Sequence, residues 1–172
     1  AHHAALSALQ DRHAALAPTV RLVRRWFGAQ LLLGHVGPET LDLLCAAVFL
    51  TNAHAVPATS MHGFVRVLTL LAHWDWREVP LLLPLENATR LAHQRKAALS
   101  DGGVSALPSE RAPTFPAAQR ADAEQHFRAM RARDPAYRHY TWVVATEHDT
   151  DAKAWMHAAP SAMVADGVRQ LA

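Results

Sequence analysis

The chain has a single cysteine, Cys45, among its 172 residues. That excludes an internal disulfide and any zinc site built on several thiolates. Cys45 lies inside the apolar run LDLLCAAVFL, without an activating neighbour, and reads as a buried, inert thiol. No apolar stretch is long enough to cross a bilayer without interruption. Residues 1–17 lack the continuous apolar core of a secretory signal. Together these absences point to a soluble, intracellular chain. There is no P-loop, no GxSxG and no HExxH, which removes the common sequence signs of nucleotide cradles, hydrolase elbows and helix-borne zinc sites. No internal repeat is present. Neither sign of charge dominates: the net charge is +2 and the pI about 9.1. The balance is uneven, since residues 1–100 carry nine Lys/Arg against six Asp/Glu and residues 101–172 carry eight against nine. A surface for a polyanion is therefore expected in the first part.

What the chain has is a succession of helical patterns. Residues 1–17 place Leu6, Leu9 and Leu16 among alanines, a pattern for an amphipathic helix. Pro18-Thr19 breaks it, and Thr19 is placed to cap a helix from Val20 to Leu33 that Gly34 closes. Gly37-Pro38-Glu39 opens a third helix running to Leu50, with proline in the first turn and an acid at the positive end. Residues 51–59 read as a loop. Ser60 then caps the helix from Met61 to His73, which opens the most apolar continuous region, Ser60–Leu85, and is expected to lie at the centre with Phe64, Leu68 and Leu71 packed against Trp26, Phe27, Leu44 and Val48. Pro80 prevents its simple continuation, and Leu81-Leu82-Leu83 reads as a short buried extended segment. Residues 88–99 form an exposed helix. The Gly-, Pro- and Ser-rich residues 100–116 read as a linker or insertion. Helical pattern returns at 117–134, Tyr140–Thr146 is the best strand, and residues 147–159 are a polar loop. Pro160-Ser161 starts a last helix. The chain stops inside it without a cap, an ending expected of a fragment. The fold class expected is mainly α (α+β): a helical domain over residues 1–99, a linker over 100–116 and a small α/β piece over 117–172.

Four groups of residues are candidates for chemistry. Twelve histidines raise the question of a metal, but His62 and His73 are about three helical turns apart, and the terminal His2-His3 pair has no fixed geometry. Asp149-Thr150-Asp151 follows a strand, as magnesium-binding acids of phosphoryl and nucleotidyl transfer do, yet Gly102-Gly103-Val104-Ser105 is the only candidate phosphate turn and sits in the linker. A solvated polar loop accounts for those acids as well. Asp75 between Trp74 and Trp76 has no second carboxylate and reads as a cap or an arginine partner. Arg21, Arg24 and Arg25, three and four apart on one helix, form the basic face most suited to successive phosphates, with Arg12 and Arg66 able to extend it. The competing reading pairs that face with Asp42, Asp75 or Glu39.

The order of residues also resembles a known family. Pro18-Thr19-Val20-Arg21-Leu22-Val23-Arg24-Arg25-Trp26, Leu43-Leu44 with Ala46, Phe49-Leu50, Pro57, Ser60, Gly63-Phe64, Arg66, Leu68, Leu70-Leu71, Asp75-Trp76 and Pro80-Leu81 are similar to the Nrap (nucleolar protein six) family. The likeness is to its second poly(A)-polymerase/oligoadenylate-synthetase-like helical domain. Phe127, Arg131, Val144-Ala145-Thr146, Asp149, Trp155, Pro160-Ser161, Val164 and Leu171-Ala172 resemble the start of the family's last domain. The resemblance implies a non-catalytic scaffold of the small-subunit processome in the nucleolus, with no cofactor, no metal, no membrane and no small-molecule substrate. Its implied partners are pre-rRNA and other processome proteins, and RNA contact is expected at Arg21, Arg24, Arg25 and Arg66. Two rival readings are the helical domain of an active template-independent nucleotidyltransferase, and a helical protein-interaction module without RNA.

Overall fold

The computed structural model describes residues 2–50, 56–100, 113–156 and 159–172. Its elements are α1 (His2–Arg12), α2 (Leu16–Ala29), α3 (Pro38–Leu50), α4 (Ser60–His73), β1 (Leu81–Leu83), α5 (Leu85–Ser100), α6 (Ala117–Arg133), β2 (Val144–Thr146), α7 (Lys153–Met156) and α8 (Ala162–Leu171). The fold is mainly helical, as expected. Most of the expected linker, 101–112, and the first part of the 51–59 loop lie outside the described residues.

The helix at the centre is α3, not α4. From Thr40 to Leu50 every residue of α3 except Asp42 is buried, and α3 packs against α1, α2, α4 and β1. The sequence explains the exchange. Asp42 is the one charged residue between Thr40 and Leu50 and has a partner in Arg24. On α4, by contrast, His62, Arg66, Thr69 and His73 fall on one side, which must reach water. The fully buried line of α4 is therefore Gly63, Val67 and Leu71. Phe64 and Leu68 are half-buried, while Met61 and Val65 are exposed.

Two helix boundaries differ from expectation for local reasons. Helix α2 begins at Leu16, ahead of Pro18, because a proline in the first turn lacks only an N–H that the helix does not use. Thr19 is therefore not a cap. It is fully buried, and its Oγ1 donates to the carbonyls of Ala15 (2.7 Å) and Ser60 (3.3 Å). The same helix ends at Ala29 rather than near Gly34. Leu31 takes φ 58°, while the N–H of Leu31 bonds Gly28 and that of Leu32 bonds Phe27. This is a Schellman ending with leucine where glycine is usual. At α4 the cap is Thr59, whose Oγ1 accepts from the N–H of His62 (3.2 Å), one residue before the expected Ser60.

Strands β1 and β2 pair in parallel, with Leu81 opposite Val144, Leu82 opposite Ala145 and Leu83 opposite Thr146. Parallel neighbours need a crossover, and here it contains α5 and α6. The strand expected over 140–146 contracts to 144–146, although Thr141 to Glu147 are all buried. Alternate side chains divide between two cores, as strand geometry requires. Val144 joins the main cluster with Val23, Phe27 and Leu44. Val143 and Ala145 join a smaller one with Ala123 and Phe127 of α6. Helix α8 packs on α4 and adds Ala165 and Val168 to the main cluster. The sheet and this core thus contain residues from both sides of the 100–116 segment.

Candidate functional site

The structure divides the arginine face of α2. Successive helical residues turn by about 100°, so Arg21 and Arg25, four apart, emerge together while Arg24 is turned to one side. Arg21 and Arg25 are exposed on the outer face and have no carboxylate partner among the described residues. Arg24 leans onto α3. Its Nη2 donates to Asp42 Oδ1 at 2.7 Å and to the Pro38 carbonyl at 3.5 Å. Burial pushes the Asp42 carboxyl above its ordinary range, and the Arg24 guanidinium pulls it partly back. Arg24 therefore holds α2 to α3, as the competing reading had it for Asp42. Arg66 is half-buried on α4, a different helix.

The other candidate groups have structural roles. Asp149 is buried and accepts from the N–H of Ala154 at 3.1 Å, capping the short α7. Burial raises its carboxyl, whereas Lys153 holds that of Asp151 low through a direct ion pair. Among the described residues no group of three or more His, Cys, Asp or Glu is placed to hold a metal ion. The His13 ring lies tilted against Phe49 (5.5 Å between ring centres), and burial pushes its pKa down to about 4. The Cys45 thiol is fully buried and pushed up by desolvation. Asp75 is exposed and lies 4.0 Å from Arg169 of α8, as the pairing reading of that residue expects. No helix of the described residues is long and apolar enough to cross a membrane.

Among the described residues, the side chain with the most hydrogen bonds is one that composition and spacing did not single out. Arg131 on α6 donates to the carbonyls of Arg77 (3.0 Å), Thr141 (2.9 Å), Trp76 and Tyr140. Its guanidinium lies 4.5 Å from the centre of the Phe127 ring and 5.1 Å from that of Tyr137. Beside it Arg77 stacks on Trp76 at 4.1 Å and pairs with Asp166 of α8 at 2.6 Å. Asp134 accepts the N–H groups of Arg138, His139 and Tyr140, which hold its carboxyl below the usual range. This clasp ties the turn after α4 to α6, the 134–141 loop and α8. Only the tertiary contacts distinguish Arg131 from other arginines on an amphipathic helix. A second carboxylate, Glu147, accepts from the N–H groups of Glu86 (3.0 Å) and Asn87 (3.1 Å) and so closes the first turn of α5.

A helical body whose crossover returns to a short parallel sheet is the architecture on which the comparison with known proteins bears. Residues 13–172 match the family model described as "Nrap protein PAP/OAS1-like domain 5". The class is thus a poly(A)-polymerase/oligoadenylate-synthetase-like domain, mainly helical. The chain belongs to the Nrap family, and the match takes in residues on both sides of the 100–116 segment. It is 27% identical over 172 residues to U3 small nucleolar RNA-associated protein 22 of Schizosaccharomyces pombe, covering 99% of this chain and 13% of that protein. It is 27% identical over 152 residues to the Saccharomyces cerevisiae protein of the same name, covering 86% and 12%. Against human nucleolar protein 6 it is 40% identical over 91 residues, covering 52% and 8%. The chain spans about an eighth or less of the length of these curated relatives.

Proposed function

We propose that this chain is a non-catalytic assembly domain of small-subunit ribosome biogenesis in the nucleolus. It contacts pre-rRNA and other processome proteins, within a longer scaffold divided as residues 1–99, 100–116 and 117–172. The carrying observation is membership of the Nrap family over 13–172, with relatives named as nucleolar and U3 small nucleolar RNA-associated proteins. The carboxylates supply further support: Asp149 and Asp151 engage α7 and Lys153, and Glu147 engages α5. Arg21 and Arg25 are the RNA-contacting pair on α2, with Arg66 contributing from α4. Arg24 supports them from the Asp42 pair.

The test is binding of a fluorescent single-stranded RNA to the 172-residue chain, titrated with salt. Each phosphate neutralised adds about 0.7 to the slope of log affinity against log salt. Arg21→Glu/Arg25→Glu, with Arg24 intact, should lower the slope by about 1.4 and weaken binding across sequences alike. An unchanged slope removes the RNA assignment of α2.

A further inference from the structure

The arginines of the described residues sort by whether the chain itself uses them. Arg24, Arg77, Arg128 and Arg169 have carboxylates within ion-pair distance, and Arg131 is spent on carbonyls. The guanidinium groups of Arg133 and Arg138 are exposed and have no carboxylate partner among the described residues. Arg133 ends α6, and Arg138 lies within the loop that follows, 134–141, which side chains hold through several backbone hydrogen bonds. Asp134 collects three consecutive backbone N–H groups, at 2.9 Å from Arg138, 2.7 Å from His139 and 3.0 Å from Tyr140. Arg131 binds the carbonyls of Tyr140 and Thr141 from below. Tyr137, at φ 54°, sets its ring edge-on to Trp76 at 5.3 Å.

A loop held by part-buried hydrogen bonds carries outward cations at little further entropy cost on binding. His139 is exposed beside Arg138, its ring against that of Tyr140 at 6.3 Å. Exposed cations beside the His139 and Tyr140 rings on a held loop are suited to a single-stranded nucleic acid, whose phosphates and bases offer both contacts, whereas the Tyr137 ring is engaged by Trp76, Arg77 and Arg131. We infer that Arg133, Arg138 and His139 form a second RNA-backbone contact, separate from α2 and held in place by Asp134 and Arg131. The inference rests on the RNA reading proposed above and adds a site to it.

The experiment uses a fluorescent 20-nucleotide oligouridine and the 172-residue chain in four forms: wild type, Arg133→Gln/Arg138→Gln, Arg21→Glu/Arg25→Glu, and all four substitutions together. Arg133, at the end of α6, and Arg138, in the loop, are both exposed, so the urea midpoint of the loop variant should match wild type and exclude misfolding as a cause. The loop variant should lower the salt slope by about 1.4 and the combined variant by about twice that. Loss in the loop variant alone supports this site and refutes the α2 pair. Wild-type slope and affinity in the loop variant, with loss in the α2 variant, overturn this inference and leave the α2 reading standing. Absence of binding by wild type overturns both, and the surface is then one for an acidic protein.

Discussion

Gly63→Ala is the substitution whose effect the packing of α2 on α4 specifies most closely. A methyl group at residue 63 would lie 2.3 Å from Thr19 Oγ1, 3.0 Å from its Cγ2 and 3.2 Å from its Cβ. Thr19 cannot swing away freely, because it is fully buried and its hydroxyl is bonded to the Ala15 carbonyl. Overpacking of this kind costs about 1–3 kcal/mol. Replacing glycine within a helix returns up to about 1 kcal/mol. The net expectation is a loss of about 1–2 kcal/mol, read as a lower urea midpoint with an unchanged m-value. Thr19→Ala removes the two nearest atoms and leaves only the 3.2 Å approach. In that background Gly63→Ala should be neutral or stabilising, giving a coupling of about 2 kcal/mol in a double-mutant cycle. Thr19→Ser keeps the oxygen at 2.3 Å and should not rescue. Equal costs of Gly63→Ala in the wild-type and Thr19→Ala backgrounds would refute the reasoning.

Three further outcomes are expected. Leu31→Gly should raise stability by about 0.5–1 kcal/mol in chemical unfolding, since Leu31 is 85% exposed and holds a left-handed φ of 58° that glycine adopts without strain; a loss would mean the leucine side chain contributes more than its exposure allows. Arg131→Lys keeps the charge but cannot reach the carbonyls of Trp76, Arg77, Tyr140 and Thr141 together, and should cost about 2–3 kcal/mol by urea denaturation; a cost below experimental error would show that the clasp is dispensable. His13 titrates near 4 when folded and near 6.5 when unfolded, so between those values the unfolded chain binds more protons and stability rises with pH. Its partial exposure limits the gain to about 1 kcal/mol, and His13→Gln should remove that part of the pH dependence, measured as urea midpoints from pH 4 to 7.

The legible parts of this protein were those governed by local chemistry. Pro38–Leu50 was readable as a helix because proline and Glu39 open it and an unbroken apolar run fills it. The extent of α6, the turn to Leu81–Leu83 and the start of α8 at Pro160-Ser161 were likewise local; the structure adds that Ser161 Oγ caps α8 by accepting from Val164 N–H at 3.4 Å. Helical periodicity put Arg21, Arg24 and Arg25 on one face, and only the Arg24–Asp42 pair separates Arg24 from the other two. The family likeness depended on order and spacing, which a sequence carries in full.

Other features were decided only by the tertiary structure. Whether α3 or α4 is central depends on which apolar helix can do without water, and that required the Arg24–Asp42 pair to be in place. The apolar residues of α4 exceed what its neighbours cover, leaving Met61 and Val65 exposed. Parallel pairing of Leu81–Leu83 with Val144–Thr146 joins residues about sixty positions apart, and no local pattern encodes such a register. The same holds for Arg131, whose value lies in four carbonyls brought together by the fold. Local sequence sets the preferences of each segment through sterics, capping and periodicity. Which cation remains for a partner and which is used internally is settled when distant segments meet and each buried charge takes the nearest group that can satisfy it.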